Sequence, residues 1–133
     1  MHELRVNAII LWVSLPFVMY GGYALLGIIN RDDRMPPFKV AAFRAGHAHA
    51  GVLLLMALLY NVFISQTSLS HTAKIAATLV MGAGVLAQCG GFFVHVAIGQ
   101  EGQRSIGTRI TMAGAVLLAA AVFFLVYALI AKW

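Results

Sequence analysis

Of the 133 residues in this chain 62% are hydrophobic and 10% charged, the formal net charge is +5, and the mean hydropathy is +0.91. A water-soluble domain of this length has no interior able to hide that much apolar surface, so the composition excludes a soluble globule and makes the lipid bilayer the solvent. The basic excess falls between the apolar runs, where it suits anionic lipid head groups; with no basic helix or aromatic platform, nucleic acid is excluded as a partner.

A hydrocarbon core of roughly 30 Å is crossed by about 20 apolar residues. The apolar runs predict spans at Ala8–Ile29, Ala45–Ile64, Ile75–Ile98 and Ile110–Ala131. Backbone polar groups need internal partners in lipid, so each span is expected to be helical. The chain is therefore read as one domain, an all-α integral membrane four-helix bundle.

The first span follows Arg5 and is about twice as long as the core of a secretory signal, with no clear small-residue cleavage site. It is read as a retained helix, kinked at Pro16 and able to approach a neighbour closely at Gly21-Gly22. Asp32, Asp33, Pro36 and Pro37 mark the first loop. The second span opens on Arg44-Ala45-Gly46-His47-Ala48-His49-Ala50-Gly51. Ionisable side chains at that depth are costly, which makes the pair a functional-site candidate. In the third span Met81, Gly84, Gln88, Gly91 and His95 recur at spacings of three and four, a face suited to close helix packing or to a flat cofactor. Cys89, the single cysteine, lies mid-span, so no disulfide forms within the chain and no thiolate metal cluster is available. The fourth span begins at Arg109 and Thr111.

With four crossings, Arg5, Lys74 and Lys132 share one side, and Arg31, Arg34, Lys39, Arg44, Arg104 and Arg109 share the other. Six basic residues against three place the first and third loops in the cytoplasm and the chain in the inner (plasma) membrane. The same topology puts the start of the second span and the end of the third at one face. His47, His49 and His95 are then expected in one layer, with Tyr20 and Tyr23 in the same half of the bilayer. Residues i and i+2 of a helix differ by about 200°, so His47 and His49 point to nearly opposite sides. Arg44, His47, Gly51, Leu54 and Asn61 form one stripe and His49, Val52, Met56 and Tyr60 another. One stripe is expected to face the interior and the other lipid or a second copy. Asn7 and Ser14 are candidates for bonds across helices.

A structural zinc site asks for four nitrogen or sulfur ligands, more than this layer holds. Haem asks for one axial imidazole, a wall of apolar and small residues, and arginines for its propionates. Haem thus fits the inventory best, with Arg44 and Arg109 at the boundary as the propionate partners.

The segment Ala48-His49-Ala50-Gly51-Val52 at the start of a membrane helix resembles the haem-ligating segment of haem-copper oxidase subunit I. Together with the upstream Arg44 it also resembles the second helix of the styrene oxide isomerases, small four-helix membrane proteins, and more distantly hydroxylaminobenzene mutase. The resemblance implies that His49, with His47 as the other choice, is the axial ligand of haem b in a homo-oligomer, a trimer, with haem at subunit contacts. It further implies ferric iron acting as a Lewis acid on an epoxide, with an aldehyde as product. The chain departs from the isomerases at Leu55, where they carry asparagine, and at Phe92 or Phe93, where a tyrosine is expected. Tyr20, Tyr23 and His95 are the candidates for contact with a small-molecule substrate. If His95 instead ligates iron, the protein is a bis-histidine cytochrome for electron transfer or sensing. If none does, it is a cofactor-free accessory membrane subunit.

Overall fold

Apolar runs interrupted by a Pro-containing loop, a Ser- and Thr-rich loop and a Gly-containing loop give four helices, α1 (His2–Ile29), α2 (Pro37–Ser65), α3 (His71–Ile98) and α4 (Ile106–Ile130). The computed structural model describes residues 2–30 and 35–131, with no strand among them. Arg31, Asp32, Asp33, Arg34, Lys132 and Trp133 lie outside the described residues. All four helices are long and apolar enough to cross a membrane, and the chain is an all-α membrane four-helix bundle.

The helix ends follow local chemistry. Pro37 opens α2 at a position where its missing N–H would have no helical partner. Ser70 caps α3 by accepting from the Ala73 N–H at 3.3 Å. At α4 the Ser105 hydroxyl accepts from the Gly107 N–H at 3.1 Å, and Thr108 Oγ1 accepts from the Ser105 N–H at 3.3 Å, closing a capping box. Ser105→Ala is expected to lower stability by about 1 kcal/mol, read as a lower melting temperature in detergent. An unchanged melting temperature would assign the cap to Thr108 alone. Gly102 turns the third loop with a φ of 71°, a left-handed conformation that favours glycine.

Lysines bridge the α2–α3 pair at both ends. Lys39 Nζ donates to the Ala97 carbonyl at 3.3 Å, and Lys74 Nζ donates to the Ser65 carbonyl at 3.0 Å. Each cation thereby meets the carbonyl-rich, partly negative end of the neighbouring helix.

Between α3 and α4 small residues let the backbones meet. A Cβ on Gly114 would come within 2.7 Å of Gln88 Cα, and one on Gly84 within 2.9 Å of Leu118 Cγ. Thr111 Oγ1 also donates to the Gln88 carbonyl at 3.4 Å. The periodic face from Gly84 to His95 is therefore the seam with α4, whereas Met81 lies beside Leu11, Ala57 and Tyr60. The core, with Ile64 and Met81 as its largest fully buried side chains, lies mainly among α2, α3 and α4 and is completed by Leu11 of α1. Helix α1 leans on α2 and touches α3 sparingly, and among the described residues it makes no packing contact with α4. Asn7 Nδ2 donates to Asn61 Oδ1 at 3.2 Å, the bond across helices expected of it, whereas Ser14 donates back to its own helix at the Ile10 carbonyl, 2.8 Å away.

Candidate functional site

Helix α2 starts eight residues before the expected apolar span. His49 is therefore about 18 Å along its helix from Pro37, whereas His95 is only about 5 Å from the end of α3 at Ile98. Because Lys39 reaches the Ala97 carbonyl, the start of α2 and the end of α3 lie side by side. The histidines do not form the single expected layer: His95 stands roughly two helical turns nearer the membrane face than His49. The hydrophobic count placed the span where charge disappears, but the helix runs on through Lys39 and Arg44 to its proline start.

His47 and His49 do separate to different sides of α2. The His47 ring lies on the glycine pair of α1: a Cβ at Gly21 would stand 3.3 Å from its Nδ1, and one at Gly22 3.1 Å from its Nε2. The close approach that paired glycines permit is thus used by an imidazole. Gly51 faces Val18 and Asn61 bonds Asn7, so the His47 stripe is the surface that receives α1.

His49 turns toward α3. Its ring tilts by 35° over Phe92 with centroids 5.0 Å apart, and its Nδ1 is 2.7 Å from the Ala45 carbonyl. A carbonyl only accepts, so Nδ1 carries the proton and Nε2 of the neutral ring keeps its lone pair. Val52 and Met56, from the same stripe, are exposed, while Tyr60 is buried in the core. Gly46 admits the neighbouring rings, since a Cβ there would be 2.8 Å from Phe92 Cβ. Phe43 meets Phe93 edge-on at 5.3 Å, extending an aromatic seam between α2 and α3.

His95 closes the outer end of that seam, edge-on to Phe38 at 6.3 Å. Its Nδ1 is 2.8 Å from Ser105 Oγ, which already accepts from Gly107 and so has its hydroxyl proton free for the ring. Ser105 was missed as a partner of His95, although Ser105 and Thr108 before an apolar run carry the signature of a helix start. Tyr20 and Tyr23 stand on the outer side of α1, 68% and 73% exposed, with ring centroids 6.3 Å apart. Arg44 and Arg109 are exposed on α2 and α4.

Below His47 an apolar cleft of about 430 Å³ separates α1 from α2 and α3. Phe17, Val18, Ala50, Leu54, Cys89 and Phe93 line it. Among the described residues no group of three or more His, Cys, Asp or Glu side chains is placed to hold a metal ion. A scan of family models gives no match for this chain, and searches of curated proteins and of solved structures give none either.

Proposed function

We propose that the protein is a haem b-binding protein of the inner (plasma) membrane that isomerises an epoxide or a similar small, apolar, oxygen-bearing substrate. The reading rests on His49: with Nδ1 held by the Ala45 carbonyl at 2.7 Å, the ring is fixed in the tautomer that leaves Nε2 available to a metal. The donor set suits haem better than zinc, because haem takes a single imidazole where zinc takes three or four strong ligands. Phe92 on one side of the ring and the small residues Gly46 and Ala50 beside it provide the apolar surroundings that a macrocycle requires. Arg44, five residues before His49 and exposed, is the propionate partner on the same helix, and Arg109 is the partner on α4.

When bound, ferric haem would supply a Lewis acid toward the substrate oxygen. The chain's own part is to fix the His49 ring through Ala45 and Phe92, to admit an apolar molecule through the cleft beside Phe17 and Phe93, and to keep water out with those walls. His95 is engaged with Ser105 and sits about two turns from His49, which weighs against both rings serving one iron within a protomer. Tyr20 and Tyr23 face outward, so their use in orienting substrate requires a second copy beside α1. A homo-oligomer, a trimer as in the resembled isomerases, supplies that neighbour. Native mass spectrometry from mild detergent is expected to give an oligomer, and a monomer with cofactor bound would remove the tyrosines from the site.

The decisive measurement is the absorption spectrum of the purified protein, oxidised, then reduced, then exposed to carbon monoxide. A Soret band that moves with carbon monoxide is expected. A band indifferent to the gas would favour the bis-histidine cytochrome, and no band after haem reconstitution would sink the haem reading.

A further inference from the structure

The notch between α2 and α4, floored by α3, gathers two polar groups whose bonding capacity the protomer leaves unused. Helical phase places the first. On α3, Gly84 and Gly91 meet α4 at Leu118 and Thr111, while Phe92 meets α2 at Gly46 and His49. With 3.6 residues per turn Gln88 falls between those two faces, one turn from Phe92, and so points toward the notch. Its backbone abuts Gly114 and its carbonyl accepts from Thr111, but its side-chain amide makes no hydrogen bond among the described residues. Gln88 is half-buried, and its amide is not sealed off as Tyr60 Oη and Asn61 Nδ2 are. A bare amide is costly in a membrane-spanning segment, and one that can be reached is relieved by a ligand that brings it an acceptor.

His49 supplies the second group. Tyr60, from the same stripe of α2, lines a groove with Ala120, Ala121 and Phe124 of α4, so that stripe turns to the notch from the opposite wall. Depth agrees as well. Gly46 against Phe92, Phe43 against Phe93 and Lys74 on the Ser65 carbonyl set an antiparallel register in which Gln88 is level with His49 to within about one turn. The two groups are complementary: Nε2 of the neutral ring offers only a lone pair, whereas the amide offers N–H donors to an oxygen. A donor aimed at an oxygen on which negative charge develops is what polarising a carbon–oxygen bond calls for.

We propose that Gln88 is the hydrogen-bonding residue of the His49 site, its amide N–H donating to the oxygen of the small ligand held there. The inference rests on the haem reading. It gives the orienting role to a residue of the same protomer, so the site needs no tyrosine from a second copy.

The test needs no turnover. Fluoride on ferric haem accepts hydrogen bonds, and its dissociation constant is read from the visible spectrum of the full chain purified in detergent. Gln88→Leu should keep the Soret band and raise that constant about ten-fold, the worth of one hydrogen bond to an anion. Gln88→Ala, which removes the donor without adding bulk, should do the same. Carbon monoxide on the reduced variants should vibrate at higher wavenumber than on the parent. Gly90→Ala, on the same helix where nothing lies within 4 Å of a Cβ, should match the parent in both readings. Unchanged fluoride affinity and carbon monoxide frequency in both Gln88 variants would overturn the proposal and leave the haem reading standing. Loss of the Soret band from them, with helical circular dichroism intact, would overturn it in favour of a part in holding haem. A fall from oligomer to monomer with fluoride binding unchanged would overturn it in favour of an amide bond between copies. No Soret band in the parent would remove the haem reading and this role together.

Discussion

Replacing His49 by alanine is expected to strip the purified protein of its Soret band while leaving its helical content and membrane insertion intact. The His49 imidazole has its Nδ1 committed to the Ala45 carbonyl, at 2.7 Å, with Nε2 left over for a metal. Loss of a partner one shell removed from a metal commonly weakens it by roughly 10- to 100-fold, so loss of the ligand itself should exceed that range. The fold should survive because His49 lies on the aromatic seam between α2 and α3, away from the core around Ile64 and Met81. His47→Ala is the matched control. Its ring rests on Gly21 and Gly22, so its removal should loosen α1 and leave haem content unchanged. Haem retained in His49→Ala and lost in His47→Ala would transfer the ligand role to His47.

Gly114→Val should damage the bundle more than any surface change. The first atom of the new side chain would come within 2.7 Å of Gln88 Cα and 2.9 Å of the Ala87 carbonyl carbon, and backbone atoms within a helix do not swing aside. Helices α3 and α4 would have to separate along the seam that also carries the Thr111 hydrogen bond. The expected loss is roughly 3 kcal/mol or more, the upper range of overpacking, measured as denaturation at lower detergent or temperature stress. Gly82→Ala supplies the contrast, because nothing lies within 4 Å of a Cβ there. It should be neutral or mildly stabilising through the helix preference of alanine. Equal effects from the two substitutions would show that the α3–α4 contact does not govern stability.

Hydropathy carried most of the architecture, since runs such as Ile110–Ala131 have no use outside a bilayer. What it could not register is helix that is not apolar. The first turns of α2, with Lys39 and Arg44, read as loop until the proline start is given weight, and that displacement moved His49 away from His95. Helical phase correctly parted His47 from His49, because 100° per residue is a property of the backbone. The neighbours each ring would meet were less legible. Gly21-Gly22 announced a close approach without naming His47 as what approaches. Phe92 became the wall for His49 only once α2 and α3 were set in register.

That register is held by crossed lysines, Lys39 onto Ala97 at one end and Lys74 onto Ser65 at the other. A slide of α2 along α3 breaks both contacts at once, so neither end can yield alone. Pulled from the bilayer by a tether, the protein should therefore come apart unevenly. Helix α1, which packs on α2 alone to any extent and reaches the core through Leu11, should leave in a first low-force event, and α2, α3 and α4 should follow together in a second rupture.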